Sequence, residues 1–210
     1  WGPEPLREAS VTQQVGECVA DALLRAGADC SRIHLIGHSL GSFVMAAAAA
    51  ALQQRSGRTI AELVSLDSAF GYPAYDIDAR NGVLFGGQDG PPRLNAGLAR
   101  TTRSYTVSDL SLAGIAGDNS YAASADHAEL VQYPTIGFDP GVAEQAITAC
   151  HNGVIGIYAD LLRKGITGGH SPLQRITRNG FDTTGMPVGA GQGDFDGVIL
   201  APRPWLRTPD

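Results

Sequence analysis

Arg32-Ile33-His34-Leu35-Ile36-Gly37-His38-Ser39-Leu40-Gly41 decides the fold, because the chain changes character at Gly37. The residues from Arg32 to Ile36 have the length and apolar content of a short buried strand that ends at Gly37. A long helix is expected from Leu40 to about Gln54, with alanines at Ala46 to Ala51. Strand, sharp turn and helix therefore follow one another directly. Working outward, Glu62-Leu63-Val64-Ser65-Leu66 is a second strand-length apolar run that leads into Asp67. It makes the intervening helix a crossover between parallel strands. Upstream, Val11, Val15, Val19, Ala22 and Leu23 recur near helical spacing, and Gly27 stands as a stop. Further strands are expected at 104–112 and 128–133, and helices at 142–149 and 154–163. The segment 71–97 is rich in glycine and proline and longer than most connections. The last forty-odd residues, including 170–210, read as loops. This pattern predicts an α/β fold with a mostly parallel sheet flanked by helices, in a single domain over 1–210.

Composition narrows the partners. With 210 residues, 43% of them hydrophobic and 17% charged, the chain has ordinary globular composition and length for one well-buried core. A net charge of −6 repels phosphate backbones and anionic lipid head groups, and no stretch rich in Lys and Arg offsets it, so nucleic acid is not an expected partner. The longest apolar run, 43–52, is too short to span a bilayer, so no membrane span is expected. Cys18, Cys30 and Cys150 have no metal-ligand spacing, and their odd number leaves at least one unpaired. A Cys18–Cys30 bridge is compatible with the loop after the first helix folding back. Asp76-Ile77-Asp78-Ala79-Arg80-Asn81-Gly82 is out of register with a calcium loop and reads as a turn. Gly193-Asp194-Phe195-Asp196-Gly197 reads as a solvated acidic tail. No metal and no cofactor are expected.

Gly37-His38-Ser39-Leu40-Gly41 fits G-x-S-x-G, in which a serine occupies a strained strand-to-helix turn and the glycines let strand and helix approach without Cβ clashes. The setting is the required one, with a strand directly before and a helix directly after. The helix N-terminus faces Ser39, so the Leu40 N–H is the candidate donor to an oxyanion. The competing reading is a glycine-rich helix start in which Ser39 serves only as a cap.

The string His34-Leu35-Ile36-Gly37-His38-Ser39-Leu40-Gly41, followed by Leu66-Asp67-Ser68-Ala69, resembles the pancreatic lipase family of α/β-hydrolases. The segment Asp126-His127-Ala128-Glu129-Leu130-Val131-Gln132-Tyr133-Pro134 is similar to a divergent form of a family segment. Cys150-His151 resembles its end point, Tyr158 is similar to a tyrosine of the helix that follows the family's histidine, and Trp1 resembles the close of a Val-Asp-Trp strand. The resemblance covers about 1–163 and implies Ser39 as nucleophile, Asp67 as acid and His151 as base. The order Ser, Asp, His is also that of the α/β-hydrolase plan. For the base, His127 and His170 remain candidates, while His34 reads as a packed core residue and His38 as part of the turn, facing away from the attack path. For the acid, Asp109 and Asp118 remain.

Departures from the family pattern shape the remaining expectations. The resemblance places the second oxyanion donor upstream of Trp1, so an N-terminal fragment of the same protein is expected as a partner. Losing one such donor typically lowers turnover by about 100- to 1,000-fold. In Arg93-Leu94-Asn95-Ala96-Gly97-Leu98 the carboxylates of the family's calcium loop are replaced, and Val142 stands where a lid cysteine would pair with Cys150. About a dozen extra residues follow LDSA and include Gly86-Gly87-Gln88-Asp89-Gly90, which reads as a site cover or a surface loop. The function implied is hydrolysis of carboxylic esters, lipids among them, through an acyl-serine. Short-chain or phospholipid-like esters are favoured over long triglycerides. Acyl transfer with the same residues, or a non-catalytic lipid- or protein-binding module, are the alternatives. A secreted or extracytoplasmic location is expected, although the chain carries no targeting signal.

Overall fold

The computed structural model describes residues 11–68, 94, 97–107, 119–122, 124–132, 143–163 and 197–200. Helix α1 (Thr12–Arg25) leads through a short 3-10 turn (Cys30–Arg32) into strand β1 (His34–His38). Helix α2 (Leu40–Ser56) and strand β2 (Ile60–Leu66) follow. Strand β3 (Ala99–Val107), the short helix α3 (Asn119–Ala122) and strand β4 (His127–Gln132) come next. Helix α4 (Ala143–Arg163) and strand β5 (Gly197–Leu200) complete the set. The five strands form one sheet in the order β1-β2-β3-β4-β5, and every neighbouring pair is parallel. The fold is therefore α/β, and the ends of β1, β2 and β3 that carry Ser39, Asp67 and Val107 lie on one side of the sheet.

Side chains alternate across a strand, and β2 uses the alternation to face two different layers. Leu63 packs with Leu35, Leu40, Phe43 and the alanines of α2. Val64 and Leu66 pack with Tyr105, Val107, Val131 and the α4 residues Cys150, Val154, Tyr158 and Leu161. Helices α2 and α4 thus cover opposite faces. Helix α2 is apolar around its circumference because it is enclosed on both sides, by the sheet and by α1. Gly16 allows that second contact, since a Cβ there would lie 2.6 Å from the Ala47 Cβ and 2.6 Å from the Val44 carbonyl oxygen. Arg55 reinforces it from the rim with a 2.6 Å bond to Asp21. Helix α2 ends where Gly57 takes the left-handed conformation, with φ 69°.

Several boundaries differ from the sequence expectation. The first strand runs through Gly37 and His38 into the turn. The expected strand 104–112 is found earlier, at Ala99–Val107, where Thr102, Ser104 and Thr106 are buried despite their polarity. The helices expected at 142–149 and 154–163 are one continuous helix, so His151 is carried on a helix and not on a loop. Gly197–Leu200, inside the tail read as loops, pairs with β4. His34 is not a core residue. Its side chain is 57% exposed and its Nδ1 lies 3.0 Å from the Glu62 carboxylate. Glu62 also accepts a 2.7 Å bond from Arg103 Nε, so a charged row crosses the sheet at the end away from Ser39. All three cysteines are free thiols, Cys18 exposed and Cys30 and Cys150 buried, so the Cys18–Cys30 bridge is absent. Among the described residues, no helix is long and apolar enough to cross a membrane.

Candidate active site

Ser39 stands between β1 and α2 with φ 55° and ψ −129°, a conformation that side-chain-bearing residues rarely adopt. Holding it costs on the order of 1–3 kcal/mol and requires the surroundings to enforce it. Two contacts do so. The Ser39 N–H donates to the Leu66 carbonyl across the sheet at 3.0 Å. Gly37 lets α2 close onto β1, because a Cβ on Gly37 would lie 2.2 Å from the Gly41 oxygen and 2.6 Å from the Ser42 Cα. The second glycine of the motif behaves differently, since a Cβ on Gly41 meets nothing among the described residues within 4 Å. Ser39 makes no side-chain cap for α2, which removes the capping interpretation of the serine. Its side chain is half-buried, and Leu40 contributes the first amide of the helix beside it.

Asp67 follows β2 directly, also with positive φ, at 41°. It is 2% exposed, and a carboxylate that dry must be fully hydrogen-bonded. One oxygen, Oδ1, accepts from the Val107 N–H at 2.9 Å and the Thr106 hydroxyl at 3.2 Å. The other, Oδ2, lies 2.6 Å from Nδ1 of His151. The Asp67 N–H donates to the Tyr105 carbonyl at 2.7 Å, which ties the turn to β3. With Nδ1 donating to a carboxylate, the His151 Nε2 is left as an acceptor in the neutral ring. The His151 side chain is 18% exposed.

The fold therefore brings Asp67 and His151 together from positions 84 residues apart and sets Ser39 just past the end of β1, the strand paired with the one that Asp67 follows. It does not bring His127 there. His127 begins β4 in register with Arg103, at the far end of the strands, roughly 13 Å below Val107 at about 3.3 Å per residue. His38, expected to face away, instead lies against His151 with ring centroids 4.3 Å apart and its Nε2 2.9 Å from the His151 carbonyl oxygen. Burial lowers the His38 pKa below the usual histidine value, the hydrogen bond to His151 opposes this, the charge of His151 adds to it, and Asp67 again opposes it. Thr106 and the Val107 amide carry no signal legible in the residue pattern, because their place beside Asp67 depends on the β2–β3 register.

Trp1, Asp109, Asp118, Val142, His170, the turn 76–82, the residues 86–90 and the acidic stretch 193–196 lie outside the described residues. So does 93–98, apart from Leu94, Gly97 and Leu98. Among the described residues, no cluster of His, Cys, Asp and Glu is arranged to hold a metal ion. An open cleft of about 690 Å³, bordered by Arg32, His34, Glu62, Arg100 and Thr101, lies at the end of the sheet opposite Ser39 and is separate from these groups. No family model matches the chain, and neither a curated protein nor a solved structure matches it.

Proposed function

We propose that the protein is a serine hydrolase of carboxylic esters on an α/β-hydrolase scaffold related to the pancreatic lipase family. The observation that carries this reading is the buried Asp67 carboxylate on Nδ1 of His151, next to a serine held in a strained strand-to-helix turn. Buried carboxylates are costly, and one that fixes an imidazole tautomer beside a half-buried hydroxyl has a chemical use that a purely structural pair lacks. In the reaction, the Ser39 Oγ attacks the ester carbonyl carbon while its proton passes to Nε2 of His151. The Leu40 N–H faces the developing oxyanion. As the tetrahedral intermediate collapses, the bond to the leaving alcohol breaks and the alcohol takes the proton from Nε2. Water then attacks the acyl-Ser39, giving its proton to Nε2 of His151; the bond from the acyl carbon to Oγ breaks, Oγ takes that proton back, and the acid is released. No cofactor enters these steps.

The substrate class is a small ester or a lipid, with short-chain or phospholipid-like esters preferred. Acyl transfer to an alcohol in place of water uses the same groups. A second oxyanion donor would come from a segment beside β1, which pairs only with β2 among the described residues and leaves Ile36 44% exposed. A non-catalytic binding module is the second reading, favoured by the single candidate amide, Leu40, among the described residues. A fluorophosphonate probe with peptide mapping separates the two. Covalent labelling at Ser39 that is lost in His151→Ala and kept in His127→Ala supports the hydrolase. No labelling of the folded protein supports the binding module.

A further inference from the structure

We propose that His38 is a positioning residue for the base: its ring donates from Nε2 to the backbone carbonyl of His151 and packs against the imidazole, holding that part of α4 over the Ser39 turn. The inference rests on the hydrolase reading for its kinetic consequence, but its geometry stands apart from that reading. A carbonyl oxygen can only accept, so the 2.9 Å contact requires a hydrogen on Nε2 of His38. The neutral ring then carries no hydrogen on Nδ1. His151 has the opposite tautomer, because its Nδ1 faces the Asp67 carboxylate. Two histidines with centroids 4.3 Å apart are thus assigned different protonated nitrogens by two different acceptors.

The device answers a mechanical problem. His151 is mounted on a helix whose apolar stripe, Cys150, Val154, Tyr158 and Leu161, packs on the sheet through non-directional contacts. Such packing tolerates small sliding, whereas proton transfer does not. A displacement of about 1 Å costs on the order of 100-fold in rate. His38 adjoins Ser39 in sequence, so its hydrogen bond ties the helix carrying the base directly to the turn carrying the hydroxyl. The titratable groups facing His38 are His151 on α4 and Asp67 after β2. Burial in that company lowers the His38 pKa, which disfavours a second positive charge beside His151 when the latter takes up a proton.

Two variants and one spectrum test this. His38→Phe keeps a ring against His151 but removes the donor, and His38→Gln returns an N–H at about the reach of Nε2. With p-nitrophenyl butyrate, His38→Phe is expected to lower kcat by about 10- to 100-fold with KM within about twofold, and His38→Gln to recover most of the loss. Phe equal to wild type, or Gln no better than Phe, overturns the proposal and leaves the hydrolase reading intact, provided that wild type turns over and labels at Ser39. A wild-type protein without turnover or labelling refutes the hydrolase reading and the kinetic role of His38 with it. Long-range 15N–1H imidazole spectra of wild type are independent of turnover. A neutral His38 with its proton on Nε2 at pH 7 is expected, and a proton on Nδ1 instead overturns the assignment.

Discussion

Replacing Asp67 with asparagine tests the site through hydrogen-bond direction. The substitution preserves volume, but an amide has one accepting end and one donating end. Val107 N–H and the Thr106 hydroxyl both donate to Oδ1, at 2.9 and 3.2 Å, so the asparagine oxygen is fixed on that side. Its NH2 must then face Nδ1 of His151, where a carboxylate oxygen stood at 2.6 Å. A donor in that position demands a lone pair on Nδ1 and moves the imidazole proton to Nε2, the nitrogen required to accept from Ser39. The variant loses both the acceptor and the charge that stabilises the imidazolium. In serine hydrolases a carboxylate-to-amide change of this kind costs about 10,000-fold in kcat, which corresponds to ~5.4 kcal/mol of barrier. The assay is kcat/KM for p-nitrophenyl butyrate together with the rate of fluorophosphonate labelling at Ser39, with thermal unfolding as the check on folding. Thr106→Val is the companion variant. It removes only the longer bond, at about 0.5–1.5 kcal/mol, and should lower activity by no more than about tenfold. A folded Asp67→Asn within tenfold of wild type would falsify the assignment of Asp67 as the partner of the base.

The two glycines of the turn should respond oppositely to alanine. In Gly37→Ala the new Cβ meets the backbone of Gly41 and Ser42, so destabilisation of ~3 kcal/mol or more is expected in urea unfolding, whereas Gly41→Ala, which meets nothing within 4 Å, should be neutral or stabilising by up to ~1 kcal/mol. Gly16→Ala forces α1 off α2 and is expected to cost ~1–3 kcal/mol; an unchanged urea midpoint would show that the helices do not approach as described. Ser65 is buried with no partner for its hydroxyl among the described residues, so Ser65→Ala should be neutral or raise the melting temperature by about 2–4 °C. Burial pushes the phenols of Tyr105 and Tyr158 up to about 12 from 10. Both stay protonated longer in the folded chain, so their contribution to stability is full below pH 10 and falls away as pH rises through 12. A Tyr105→Phe/Tyr158→Phe double variant should show a shallower loss of stability between pH 10 and 12, and an identical slope would refute the assignment.

What could be read from the sequence was whatever glycine punctuates. The turn at Ser39 is framed by Gly37 and the first helix stops near Gly27, and both boundaries are visible as residue types. Asp67 was legible as the residue that ends an apolar strand, before anything was known of its neighbours. Helix α4 was not legible as one element, because His151, Asn152 and Gly153 interrupt its polarity pattern. The stripe Cys150, Val154, Tyr158 and Leu161 nonetheless continues across the interruption, and its burial against β2, β3 and β4 holds the helix together. Strand β5 is four residues in a glycine-rich tail, too short to show a period. The orientation of His38 is not legible, because residues of a turn carry no facing rule. Its direction is set by α4, which the chain reaches only after 113 further residues.

The strand order equals the chain order, and this has a consequence for synthesis. A sheet that grows at one edge can be laid down as the polypeptide emerges, each new strand finding its neighbour already in place. Ser39 takes its strained pose once β2 has joined β1, yet the imidazole that pairs with Asp67 is 84 residues further along. At bacterial to eukaryotic elongation speeds of about 5–20 residues per second, that gap lasts roughly 4–17 s. During it the nascent chain carries the Ser39 turn and Asp67 without the imidazole that Asp67 holds, so the pairing of the two forms only when the helix bearing His151 docks late.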